Sequence, residues 1–202
     1  MTPVLATHDP AAACRMLADQ FGFMQVSPGL MTFGTAMVAV MAATALPDNL
    51  IALPVDHVAF AVDDADAVYR RFSAAGGQID PAFTPGGPRD IAQFWDHGVR
   101  FVFFAGPEGA AFEFCAKNRV KGPVDVGHSH FGIRSANLDL TQADLARFGA
   151  KLIARHLLPA APYPVDVRFV QAGPDVFELF DEAPAASPKA GLGWVGFLPD
   201  AP

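Results

Sequence analysis

The sequence predicts an α+β fold built from a repeated unit: one strand, one helix and two or three further strands. Three observations predict it. Residues 99–114 (VRFVFFAGPEGAAFEF) and 167–180 (VRFVQAGPDVFELF) share VRFV, AGP, an acidic residue and a Phe-Glu pair in the same order, and such self-similarity marks a repeated structural unit. Upstream of each copy, a run with strand alternation opens on a histidine, HVAFAV at 57–62 and HFGIRS at 130–135. Between the two elements of each copy, apolar residues recur at helical spacing.

A degenerate copy comes first, over residues 1–50 (βαββ). Residues 3–7 read as a strand. Asp9-Pro10 is a cap and first-turn signal for a helix over 11–21, which Gly22 ends. Strands follow near 23–27, 30–34 and 36–43. Residues 30–47 are weakly polar, but a membrane helix needs about 20 predominantly apolar residues. The run is shorter, holds Gly and several Thr, and lacks charged or aromatic anchors, so it reads as two buried strands.

The first full unit spans 54–118. Its strand starts at His57, and Asp63 or Asp64 can cap the helix. Ala65, Val68, Phe72 and Ala75 share a helical face, and Gly76-Gly77 closes it. The second full unit spans 126–182, with Thr141 or Asp139 as cap and Leu145, Phe148 and Leu152 as the stripe. AGPEG and AGPD are turns between the last two strands of each unit. The Pro-, Ala- and Gly-rich residues 183–202 read as an irregular tail over the surface.

Composition bounds the function. Of 202 residues, 51% are apolar and 17% charged, a globular balance. A net charge of -7 without a run of Lys and Arg excludes the basic stripe of a nucleic-acid binder. Cys14 and Cys115 form no disulfide framework and no zinc motif, so both read as reduced, buried thiols. No signal peptide is apparent, and a cytoplasmic protein is expected. The aromatic set is skewed, with Phe 18 against Tyr 2 and Trp 2, as suits strands buried on at least one face.

Strand alternation then locates the chemistry. Ala59 and Ala61 share the face of His57, and Ala111 and Cys115 share that of Glu113. The bulky Val58, Phe60, Phe112 and Phe114 point the other way, toward a helix. His130 shares a face with Gly132 and Arg134, opposite Phe131 and Ile133, and Glu178 lies opposite Phe177 and Leu179. Small neighbours leave a cavity around the four polar side chains. A lone carboxylate buried there costs several kcal/mol, and a divalent cation removes that cost. Two imidazoles and two carboxylates suit zinc, nickel, iron, manganese or cobalt, with one or two positions left for water or substrate. His128 shares the alternation face of His130 and is a further candidate, as ligand or beside the ligands. Arg134 points into the same cavity and could meet an anionic substrate. His97 falls near a turn, His8 and His156 read as surface residues, and Arg100 and Arg168 read as repeat-equivalent structural pairs.

DHVAFAVDDADAVYRRFSAAGG followed by GVRFVFFAGPEGAAFEF resembles the vicinal oxygen chelate superfamily, which includes glyoxalase I, extradiol dioxygenases and antibiotic-resistance proteins. The resemblance covers about 54–182. It implies βαβββ modules, two of which pair into an open, cup-shaped sheet of eight strands around one metal. It implies that ligands come from the first and last strands of each module, matching His57, Glu113, His130 and Glu178. Thr2 stands where a His would be expected in the N-terminal copy. A two-His, two-Glu set is most similar to glyoxalase I, which implies a lyase or isomerase that holds vicinal substrate oxygens on the metal. Glu178 is then the first candidate for the base and Glu113 the second. Two alternatives stand beside it: a non-haem iron dioxygenase of two His and one carboxylate, for which Glu113 is dispensable and His128 the assisting residue, and a metal-free protein that binds or sequesters a small aromatic molecule.

Three units cannot all pair within one chain. Pairing of 54–118 with 126–182 is favoured, because those two carry the ligand candidates. Residues 1–50 would cover an edge or pair with a second chain, giving a homodimer; the alternative pairs 1–50 with 54–118 and swaps the third unit between chains. A small-molecule substrate is expected, with no nucleic-acid or membrane partner.

Overall fold

The computed structural model describes residues 1–119, 124–160, 163–181 and 191–199. The N-terminal unit runs β1 (Thr2–Thr7), α1 (Pro10–Phe21), β2 (Met24–Ser27), β3 (Leu30–Phe33) and β4 (Ala36–Ala42), followed by the short β5 (Ile51–Ala52). The next unit is β6 (Val55–Ala61), α2 (Ala65–Ala74), β7 (Gln78–Ile79), β8 (Arg89–Ile91), β9 (Val99–Ala105) and β10 (Ala111–Lys117). The third is β11 (Gly127–Ser135), α3 (Leu138–Ala146), β12 (Lys151–Leu158), β13 (Val165–Ala172) and β14 (Asp175–Asp181), and β15 (Gly193–Leu198) closes the described chain. None of these helices is long and apolar enough to cross a membrane.

The strands form two sheets. One runs β12-β13-β14-β11-β6-β10-β9, with β7 and β8 pairing successive stretches of β9 to complete an eighth position. The other runs β2-β3-β4-β1-β15-β5. In every unit the first strand lies parallel to the last: β1 to β4, β6 to β10 and β11 to β14. The two full units join where β6 and β11 pair antiparallel. The N-terminal unit stays out of that sheet.

Its partner in the second sheet is β15, which pairs antiparallel with β1 as β11 does with β6. The expectation of an irregular tail over 183–202 is therefore corrected for 193–198; residues 183–190 and 200–202 lie outside the described ones. An unpaired β1 edge leaves a row of donors and acceptors free, and GWVGFL meets it with two buried aromatics. Trp194 Nε1 donates to the Ala111 carbonyl at 2.8 Å, and the Phe197 ring sits 4.7 Å from that of Phe131.

Local chemistry sets the helices. Asp9 accepts from Ala12 N–H at 2.9 Å with Pro10 in the first turn, and Gly22 ends α1 in the left-handed conformation at φ 71°. Asp64 caps α2, burying Ala65, Val68 and Phe72, while Ala75 lies past the helix and exposed. In α3 the cap is Asn137, not Thr141 or Asp139, and only Leu138 is buried. The expected stripe fails because the helix ends at Ala146: Phe148 lies in the following turn at 83% exposure and Leu152 is already on β12. Arg100 and Arg168 do occupy equivalent structural places. Each reaches from a strand to an acid in the first turn of its own unit's helix, Asp66 at 2.6 Å and Asp139 at 2.6 Å.

The main core lies on the helix side and welds the sheets together. Phe21 of α1 meets Phe72, Phe104, Phe112 and Phe114 with ring centroids 5.5–6.2 Å apart. Rigid aromatic rings in tilted contact add specific geometry to apolar burial. Phe21→Ala is expected to cost about 3–5 kcal/mol in denaturant unfolding; a loss under about 1 kcal/mol would show that the N-terminal unit is not part of one cooperative core.

Candidate metal centre

Four adjacent central strands, β10, β6, β11 and β14, carry the four polar side chains on the face away from the helices. Pairing registers set them in two rows. Glu113 and His130 both oppose Ala59, and His57 and Glu178 both oppose Gly132. Ala59 and Gly132 each lie two residues beyond their unit's histidine, so the repeat supplies the same small spacer twice. At Gly132 the spacing is tight: a Cβ there would overlap the His57 imidazole.

The ligand atoms of His57, Glu113, His130 and Glu178 all lie within 4.8 Å of one another, and all four residues are buried. His57 Nε2 is 3.4 Å from His130 Nε2, 3.4 Å from Glu113 Oε2 and 3.2 Å from Glu178 Oε2. His130 Nε2 is 3.1 Å from Glu113 Oε2 and 3.2 Å from Glu178 Oε2. Metal–ligand bonds of about 2.0–2.2 Å give neighbouring donors about 3.0–3.5 Å apart. The residues present thus fit a single small divalent ion in donor type and spacing.

Both histidines turn Nε2 inward because Nδ1 is engaged elsewhere. His57 Nδ1 lies 3.1 Å from Asp56 Oδ1, and His130 Nδ1 lies 3.2 Å from Ser129 Oγ. Asp56 Oδ2 also accepts from Arg134 Nε at 2.9 Å and Nη2 at 2.7 Å.

The electrostatics of the metal-free cluster follow. Burial alone would push His57 down, but Asp56, Glu178 and Glu113 outweigh it and hold the imidazole at about 10. His130 is likewise raised against its burial, to about 9, by Glu113 and Glu178. Burial would raise Glu178, yet His130 and His57 bring its carboxyl well below the usual range. Asp56 is lowered against burial by His57 and Arg134. The two raised imidazoles and the two lowered carboxyls, Glu178 and Asp56, thus support one another.

Around the cluster stands an aromatic wall. His57 meets Phe103 at 5.1 Å and Phe180 at 5.9 Å, and His130 meets Phe169 at 5.7 Å. The segment between β8 and β9 crosses to the opposite wall: Phe94 sits 5.1 Å from Phe169 and 5.1 Å from His156. The expectation that small residues alone surround the ligands is therefore corrected. Ala59, Ala111 and Cys115 do flank the ligands, but Phe94, Phe101, Phe103 and Phe169 pack on the same side and bury them.

Two further expectations change. His128 lies on the other face, its ring 5.4 Å from Phe60 and 5.1 Å from Phe131, with Nε2 2.9 Å from the Met37 carbonyl. The reason is a β-bulge: His128 opposes Phe60 and His130 opposes Ala59, so Ser129 is an extra residue that inverts the alternation. Burial pushes the His128 imidazole down to about 4, consistent with a neutral core residue. Arg134 does lie on the cup side, over the Phe180 ring at 5.1 Å, but its guanidinium is committed to Asp56. Sequence reasoning missed Asp56 and Ser129, and it read as a surface residue the partly buried His156. The last sits on the cup wall on β12 in step with Ala154 and Leu158, a period-2 pattern that the sequence does contain.

The fold and this four-strand site define a class, the paired βαβββ cup. The model of the Glyoxalase/Bleomycin resistance protein/Dioxygenase superfamily matches residues 2–114, and the chain belongs to that superfamily. The match ends before β11 and β14, which carry His130 and Glu178. Glyoxalase I from Zea mays is similar in fold at a TM-score of 0.65 and 17% identity, covering 96% of this chain and 70% of that one. Its V278E mutant gives a TM-score of 0.63 at 17% identity, with coverage of 92% and 68%. Methylmalonyl-CoA epimerase from Mycobacterium tuberculosis gives a TM-score of 0.46 at 20% identity, covering 70% of this chain and 95% of that one. No curated protein matches the sequence.

Two outcomes follow from the cluster. Gly132→Ala is expected to lose about 1–3 kcal/mol of stability by overpacking against His57, read by urea unfolding; an unchanged midpoint would contradict the close approach. The pH dependence of the chelated, metal-free protein is the second. His57 and His130 are raised above an unfolded value of about 6.5, so their contribution is full below that pH and lost as pH rises through about 9–10. Glu178 is depressed, so its contribution is present above an unfolded value of about 4.5 and lost as pH falls. Metal-free protein should therefore unfold at lower urea at pH 9.5 than at pH 6, and equal midpoints would count against the paired cluster.

Proposed function

We propose that this chain is a metal-dependent enzyme of the glyoxalase type, acting on a small molecule with oxygens on adjacent carbons. The observation that carries the reading is the convergence of His57, Glu113, His130 and Glu178 at ligand spacing on one buried face. Zinc, nickel, iron, manganese and cobalt all suit these donors. An ion held by the four would supply Lewis-acid charge to the two oxygens as negative charge develops on them.

The chain's own groups do the rest. Glu178 is the proposed base: it removes a proton from one carbon and returns it to the neighbouring carbon, so no co-reactant is consumed. Glu113 is the alternate base and otherwise a ligand. His57 and His130, with Nδ1 tied to Asp56 and Ser129, keep Nε2 fixed on the reacting site. The aromatic wall excludes water from it, which strengthens every interaction inside. The iron dioxygenase reading loses its assisting residue, since His128 faces the helix-side core. The N-terminal unit finds its pairing strand, β15, within the chain, so a homodimer, if formed, does not need that edge, and size measurement in solution checks the oligomeric state.

Proton exchange tests the chemistry on simple probes that share the oxygens on adjacent carbons. Hemithioacetals of aryl and alkyl glyoxals and simple 2-hydroxyketones are incubated in D2O with protein loaded with zinc, nickel or cobalt, and the protons on the oxygen-bearing carbons are followed by NMR. Exchange or isomerisation of at least one probe is expected, slowed about 10²–10⁴-fold in Glu178→Gln with metal still bound. Ring cleavage of a catechol by iron-loaded protein in its place would favour the dioxygenase.

A further inference from the structure

Two β-bulges flank the ligand cluster, and both fall at the same place relative to a histidine. On β11, His128 opposes Phe60 and His130 opposes Ala59, leaving Ser129 as the extra residue. On β6, His57 opposes Gly132 and Val55 opposes Ile133, leaving Asp56 as the extra residue. Without the bulges, the residue before each histidine would point to the opposite face of the sheet. With them, Asp56 and Ser129 come round to the cup side and each reaches the Nδ1 of the histidine that follows it.

We propose that Asp56 and Ser129 are positioning residues that fix the two histidines for metal capture, and that Asp56 makes His57 the stronger of the two donors. The proposal rests on the metal-binding reading of the site and adds the device that orients it. A histidine bound to a metal through Nε2 must carry its proton on Nδ1, and a fixed acceptor there sets both tautomer and ring angle.

The two acceptors differ in strength. A carboxylate accepts a charge-assisted hydrogen bond and raises the basicity of the ligating nitrogen, and a hydroxyl does so less. Asp56 is itself held. Its second oxygen takes the Arg134 guanidinium in two contacts, and the guanidinium lies over the ring of Phe180, which also stacks on His57. Asp56 and Phe180 thus touch His57 directly and Arg134 holds both of them, while His130 has Ser129 and an edge contact from Phe169. The repeat duplicates the strand-first histidine and the bulge, and the residue at the bulge makes the halves of the site unequal.

The test is cobalt binding by the full chain. Wild type, Asp56→Ala, Asp56→Asn and Ser129→Ala are titrated with Co²⁺ against a chromophoric chelator, and visible spectra of the loaded proteins are recorded. Asp56→Ala is expected to bind about 10–100-fold more weakly, Asp56→Asn to fall between it and wild type, and Ser129→Ala to lose less than Asp56→Ala. The ligand-field bands should shift in the Asp56 variants, a signature that general loss of stability does not produce. If Asp56→Ala does not fold, the weaker binding and shifted bands of Asp56→Asn decide the matter. Wild-type affinity and spectrum in Asp56→Asn and Ser129→Ala would overturn the proposal while leaving the metal site standing. No Co²⁺ uptake by wild type would overturn both.

Discussion

Everything at the candidate centre depends on the antiparallel pairing of β6 with β11. Each strand is the first of its unit and has its unit's last strand beside it, so the pairing places β10, β6, β11 and β14 side by side. Only in that order do two histidines and two glutamates from residues far apart in sequence meet across two small spacers, Ala59 and Gly132. A shift of one residue in the β6–β11 register would turn one histidine to the helix side. The register is held by the core beneath it, where Phe60, Phe112, Phe131 and Phe177 are almost fully buried.

That dependence gives the N-terminal unit a role although it carries no ligand. Its helix drives Phe21 into the core under β9 and β10, and β15, paired to β1, lays Trp194 and Phe197 against Phe112, Phe131 and Phe177. The second sheet therefore buttresses the helix side of the first. Apolar packing on one face keeps the polar cluster on the other face in place, and a buried cluster of four ionisable groups needs such support.

How much of this is legible in the sequence depends on where the period of two holds. The faces of Glu113 and Glu178 read correctly because β10 and β14 alternate without interruption, and the histidines read correctly because the alternation that follows each of them is unbroken. His128 reads wrongly because the bulge at Ser129 lies between it and His130, and a bulge leaves no mark in the alternation of residue types. The same blindness hides Asp56. The α3 stripe misleads because Leu145, Phe148 and Leu152 keep helical spacing past the helix end at Ala146 and across the turn at Gly149, whose φ is 84°. The closing strand is masked by the composition of the Pro- and Ala-rich stretch before it. The small residues beside the ligands are visible in the sequence, but the aromatics that cover them come from the β8–β9 segment and from β9 and β13, a tertiary contact no local pattern contains.

The central claim is that four side chains from two units hold one metal ion. Elemental analysis of the purified protein, prepared without added metal or chelator, beside a His57→Ala/His130→Ala double variant, tests it most directly. The account predicts about one equivalent of a single first-row divalent metal in the wild type and none in the variant. A wild-type protein that carries no such metal and takes none up when offered zinc, nickel, manganese, cobalt or iron would contradict it, and would leave an aromatic-walled cup for metal-free binding in its place.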